Sequence, residues 1–189
     1  MSENLMPPGF RKFAFVIDIV VKTGTILAVI FGFNQYLMAR QDMRVNRSLS
    51  LVERFNSDTE RAGKARALAT KVWWDNRKQI ERLVRSPADE FDKHRGNLVY
   101  KVLYMGGAKS EAIQYALIDL LDFFGELEVC VESRLCDEET AVDFFGPYAD
   151  GYWLLYADEI EANRTMNNRL GFALRDFVKR IPQEERLVQ

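Results

Sequence analysis

Residues 13–38 read FAFVIDIVVKTGTILAVIFGFNQYLM, and the rest of the chain is read from this stretch outward. At about 1.5 Å of rise per residue, a helix of this length exceeds the ~30 Å of hydrocarbon in a bilayer. The apolar run is strongest from Ile26 to Phe33, and Asn34, Gln35 and Tyr36 follow it as an interfacial collar. A cleaved signal peptide is the rival reading. Its apolar region is normally shorter, and Leu37-Met38-Ala39 is a poor small-residue cleavage site. The stretch is therefore read as a transmembrane helix, preceded by a disordered tail over residues 1–12 that contains Pro7, Pro8 and Gly9.

Wound at about 100° per residue, the span has two faces. Gly24, Thr25, Ala28, Gly32 and Gln35 share one sector, with Asp18 and Lys22 at its edge. Phe15, Ile19, Ile26, Leu27, Ile30, Phe33 and Leu37 fill the other side. Small residues at four-residue spacing let two helix backbones approach closely, so Gly24, Ala28 and Gly32 mark an association face. Asp18 and Lys22 stand four apart, acid first, which suits a local ion pair near the end of the span.

The flanks set the expected orientation. Arg11 and Lys12 precede the span, and Arg40, Arg44, Arg47 and Arg54 follow it. Basic residues stay on the cytoplasmic side, which puts the N-terminus outside and residues 39–189 inside.

Net charge is −2, so no global nucleic-acid signature exists. The distribution is uneven. Residues 40–85 carry twelve Lys and Arg against six Asp and Glu, and residues 86–160 carry five against sixteen. The basic part adjoins the span, where it suits anionic lipid head groups. Cys130 and Cys136 stand six apart with too few other ligands for zinc. In a cytoplasmic domain they are expected to be reduced and to serve as small buried hydrophobes.

Below the span, Val45, Leu49, Val52 and Phe55 carry a helical apolar spacing to Asn56-Ser57-Asp58. Ser57 and Glu60 have capping-box spacing for a second helix, which Ser86-Pro87 ends. Folded back on the first, this helix would bring Arg77, Lys78, Arg82 and Arg85 to the lipid surface with Arg40, Arg44 and Arg47, and Trp74 to the interface. Leu98 to Met105 is read as helix because no partner strand occurs elsewhere, and Gly106-Gly107 ends it. Ser110 is expected to cap the next helix, with Ile113, Leu117, Leu120, Leu121, Phe124, Leu127, Val131 and Leu135 buried. Asp137 caps a short helix to Phe145, and Gly146-Pro147 divides it from the next. Phe124, Phe145, Tyr148, Tyr152, Trp153 and Tyr156 form an aromatic core or docking surface, and a last helix covers about 168–180.

Chemistry-bearing patterns are sparse. His94 is the sole histidine, and Glu90 lies one turn before it. Asp119, Asp122 and Glu126 share a helix face without the Glu-x-x-His pairs of a di-metal bundle, and read as a solvated acidic face. Gly106-Gly107-Ala108-Lys109-Ser110 lacks the first glycine of a phosphate loop. No catalytic residue, metal or cofactor is assigned.

Residues 120–164 read LLDFFGELEVCVESRLCDEETAVDFFGPYADGYWLLYADEIEANR. Leu121, Phe123, Phe124, Glu126, Asp137, Phe144, Tyr148, Tyr152, Trp153 and Arg164 match a pattern of the form LxFFEExAxxVxxGxxD…FxxxYxxYW…R. The stretch resembles a bacterial family of membrane-anchored helical proteins of unknown function. Where that pattern has a Gly before its Leu-x-Asp turn, this chain has Ser133 or Arg134. The resemblance implies an anchored helical protein and supplies no chemistry.

The expectation is thus an all-α protein of the bacterial inner membrane. A single N-terminal transmembrane helix precedes a cytoplasmic helical bundle, built from a basic juxtamembrane hairpin at 39–85 and an acidic, aromatic-rich bundle at 86–189. The expected role is non-enzymatic: a membrane-tethered scaffold or regulatory subunit, homo-oligomeric or in a hetero-complex with another membrane protein, contacting lipid and not nucleic acid. The alternative is a membrane effector or channel-type subunit acting on the bilayer through an oligomeric transmembrane helix.

Overall fold

A computed structural model describes residues 8–163 and 170–186. The described residues form α1 (Pro8–Asn56), α2 (Arg61–Val84), α3 (Ala88–Tyr104), α4 (Ala108–Glu132), α5 (Glu138–Ala162) and α6 (Phe172–Arg180), followed by a single 3-10 turn at Gln183–Glu185. No strand occurs among them. The chain divides into two compact units, residues 1–43 and 44–189.

The first unit is helical from Pro8, a residue suited to the first helical position because its missing N–H has no intrahelical partner there. Residues 8–12, expected as disordered tail, are helix; residues 1–7 lie outside the described residues. From Asp18, α1 is long and apolar enough to cross a membrane, and the most apolar part of it has no buried residue. Ile19, Ile26, Ile30, Phe33 and Leu37 are all exposed.

In the second unit, Ser48, Leu51 and Phe55 are the buried residues of α1, while Leu49 of the expected stripe is exposed. Phe55 is fully buried among Phe123, Phe124, Phe144, Phe145 and Tyr148, with ring centroids 4.9 to 6.5 Å away. The root of α1 is therefore held in the aromatic core, where such ring pairs add to simple area burial.

α2 packs mainly along α4 and α3 rather than back along residues 44–56 of α1, so the expected hairpin is replaced by a helix built into the bundle. The expected capping box does not form. Ser57 Oγ lies 2.8 Å from Thr59 Oγ1, and Glu60 stands at the N-cap without a side-chain bond. The chain is instead tight where Gly63 meets Ser57: a Cβ at Gly63 would stand 1.8 Å from the Ser57 carbonyl oxygen. α3 is one continuous helix that begins well before Leu98, where the expected helix started. Ser110 does not cap α4. It lies inside the first turn, accepting from the Gly106 N–H at 2.7 Å and donating to the Val102 carbonyl at 2.8 Å.

The expected break at Gly146-Pro147 is absent, and α5 runs through Pro147. Proline removes one intrahelical donor, but Phe145, Gly146, Ala149 and Asp150 on either side are buried, and that packing outweighs the lost bond. Asp137 does cap α5, accepting from the Thr140 N–H at 3.0 Å. Leu135, expected inside, is exposed.

The cysteines correct the sequence reading: Cys130 and Cys136 form a disulfide, with Cα atoms 5.2 Å apart. Six residues along a straight helix would separate them by about 9 Å. α4 ends first, and the chain doubles back through Arg134, whose φ is +58°. Glycine is the residue for which that backbone is free of strain.

α6 is tied to α4 and α5 by Arg180. Its guanidinium donates to both carboxylate oxygens of buried Glu128, at 2.6 to 3.2 Å, and to Glu138 at 3.0 Å. Those hydrogen bonds, Glu128 first, hold the Arg180 guanidinium well above its ordinary pKa.

Candidate functional site

In the first unit, Gly24 and Gly32 look onto open space: a Cβ on either would meet nothing within 4 Å. Ala28 and Gln35 are exposed alongside them. Thr25 is already engaged, its Oγ1 donating to the Val21 carbonyl at 2.8 Å. Asp18 and Lys22 pair at 2.5 Å on the exposed surface.

The basic residues do not act as one group. Arg40, Arg47, Lys78, Arg82 and Arg85 are exposed. The Arg77 guanidinium lies over the ring of exposed Trp74, 5.8 Å from its centroid. Arg44 turns inward, where Nε and Nη2 each donate to the Cys136 carbonyl at 3.3 Å. Ser48 and the Arg44 carbonyl accept from the Asp137 N–H, at 2.9 and 3.3 Å. The disulfide-closed turn between α4 and α5 is thus fastened to α1 by polar bonds that the sequence reading did not anticipate.

The other patterns are structural. His94 and Glu90 are both exposed, with His94 Nε2 3.7 Å from Glu90 Oε2. Among the described residues, no group of three or more His, Cys, Asp or Glu is gathered to hold a metal. On the acidic face of α4, Asp122 and Glu126 are exposed as expected, and two of its carboxylates also meet arginines: Arg61 pairs with Asp119, and Arg54 with Glu126 at 2.9 Å. The Gly106–Ser110 segment is closed by the Ser110 bonds described above, and Lys109 reaches Asp75 at 3.5 Å.

The aromatic group divides in two. Phe124 and Phe145 are fully buried in the core, and Trp153 is half-buried against it. Tyr148, Tyr152 and Tyr156 pack into or against the same core and also line a cleft of about 300 Å³ between α5 and α2, facing Ala69, Thr70 and Trp73. One-turn spacing puts both rows on single helix faces. Burial pushes the Tyr156 hydroxyl up to about 12, and pushes that of Tyr152 still higher. Both hydroxyls are therefore neutral donors at physiological pH. Arg66, one turn before Ala69 and Thr70, was not singled out in the sequence. Its guanidinium lies over the Phe55 ring at 5.8 Å, and its Nε donates to the Phe55 carbonyl at 2.9 Å.

No protein-family model, curated protein or solved structure gives a significant match to the chain.

Proposed function

We propose that the chain is a membrane-tethered, non-enzymatic scaffold or regulatory subunit, in which residues 13–38 cross the bilayer once and the helical bundle presents a docking surface. The supporting observation is burial. A core helix of a soluble protein covers its apolar side chains, whereas Val20, Val29, Phe31 and Phe33 are 60 to 66% exposed. Lipid covers such a surface without any protein neighbour. The open Gly24–Ala28–Gly32 face supports pairing of the anchor with a second copy or with another membrane protein.

Crosslinking in native membranes, followed by identification of what is joined, tests this reading. A self-crosslink or a discrete membrane partner is expected, and its loss in Gly24→Ile with Gly32→Ile would assign the contact to the anchor. A chain that joins nothing would contradict the scaffold role. Ion flux on overexpression, abolished by the same pair, would favour the channel-type alternative.

Orientation has two opposed arguments. The arginines of residues 40–54 favour a cytoplasmic bundle. The Cys130–Cys136 pairing favours an oxidising compartment, where disulfides persist. A reporter fused after Gln189 separates them: activity of a cytoplasmic reporter supports the first, and activity of a periplasmic reporter supports the second.

A further inference from the structure

We propose that the cleft between α2 and α5 binds a small carboxylate with an apolar body, its body against Trp73 and the tyrosines and its carboxylate toward Arg66. The cleft is apolar on both walls, and its volume of about 300 Å³ lies at the small end of ligand sites, which run ~300–1,000 Å³. That lining disfavours sugars and nucleotides, whose polar groups would lose water without replacement.

Polar groups then define the head. Tyr152 and Tyr156 are 8% and 6% exposed, and neither hydroxyl has a hydrogen-bond partner among the described residues. Buried tyrosines normally find one. The hydroxyls are not sealed, because the enclosed side-chain polar atoms left without a bond belong to Arg95 and Arg175. Both residues line the cleft.

Arg66 supplies the charge. It lies on the face of α2 that carries Ala69, Thr70 and Trp73, one turn earlier. Its Nε is spent on the Phe55 carbonyl, and no carboxylate among the described residues pairs with its terminal nitrogens. Phe55, beneath the guanidinium, has its ring 5.1 Å from that of Tyr148 on the cleft wall. The charge also acts on the Tyr152 hydroxyl, opposing the effect of burial there. A guanidinium one turn before Ala69 and Thr70, without a carboxylate partner among the described residues and close enough to act on the Tyr152 hydroxyl, fits a carboxylate bound in the cleft, which accepts from both.

The test is calorimetric titration of octanoate, and of 1-octanol as its uncharged counterpart, into the full chain in phosphatidylcholine nanodiscs, with empty nanodiscs subtracted. Saturable octanoate binding is expected, at least about tenfold tighter than octanol, as a charge-assisted contact implies. Arg66→Gln should remove that difference while leaving octanol unchanged, and Ala69→Phe should abolish binding of both. Thr70→Phe repeats the blocking test if Ala69→Phe does not fold. Binding no greater than to empty nanodiscs, equal affinity for acid and alcohol, or full binding by a folded blocking variant would overturn the proposal.

Discussion

Replacing Phe55 with Ala tests how the end of α1 is fastened into the bundle. Phe55 is the last large residue of α1 before the chain turns, and it is fully buried. Its ring meets Phe123, Phe145 and Tyr148 with centroids 4.9 to 5.3 Å away, the latter two edge-on. Truncating a buried Phe costs about 3–5 kcal/mol, from lost transfer energy and from the cavity left behind. The upper half of that range applies here. The neighbouring rings come from α4 and α5, whose axes are held by other contacts, so the hole cannot easily close. Arg66 also loses the ring beneath its guanidinium, worth ~0.5–1 kcal/mol at a partly exposed site. A domain has only about 5–15 kcal/mol in total, so the variant should lose a third or more of its stability. Urea unfolding of the full chain in micelles, followed by near-ultraviolet circular dichroism, measures this. Leu49→Ala, on the same helix but exposed, should cost less than about 1 kcal/mol and serves as the control. A Phe55→Ala loss below about 1 kcal/mol would refute the claim that this residue fastens α1 into the core.

Three further outcomes are expected. Gly63→Ala should destabilise by roughly 1–3 kcal/mol in the same assay, because its Cβ would stand 1.8 Å from the Ser57 carbonyl oxygen and the loop must move. Arg180→Met should cost about 3–5 kcal/mol by leaving Glu128 buried and unpaired, whereas Arg180→Met with Glu128→Met should be far milder. Stability should fall as pH rises from about 10 to about 12. The Tyr156 hydroxyl has its folded pKa pushed up to about 12, so the folded chain keeps a proton that the unfolded chain releases near 10, and Tyr156→Phe should flatten that part of the curve measured by thermal melting.

The helical class and several boundaries were legible because local signals and packing agree. Ser86-Pro87 stops α2 where proline disfavours helix in the residue before it, and Asp137 caps α5 through its own side chain. The failures came where tertiary contacts outweigh local chemistry. Gly146-Pro147 has the composition of a break, yet it lies in a helix in which Phe145, Ala149 and Asp150 on either side are buried. Ser57 and Glu60 have capping-box spacing, but the close approach of Gly63 to Ser57 sets the start of α2 instead. The disulfide was not expected because the basic flank placed the domain in a reducing cytoplasm; the left-handed Arg134 brings the two cysteines together. The cleft was partly visible as an aromatic row. Its other wall, Ala69 and Thr70, has no distinctive signature, and Arg66 is one arginine among many on a basic stretch.

The central claim is that residues 13–38 hold the chain in a membrane, and alkaline carbonate extraction of membranes containing the full-length protein tests it most directly. The account predicts that the protein stays in the membrane pellet with its original N-terminus intact, and that a chain lacking residues 1–38 moves to the supernatant. Release of the full-length protein by carbonate, or recovery of a mature chain beginning near Arg40, would contradict it.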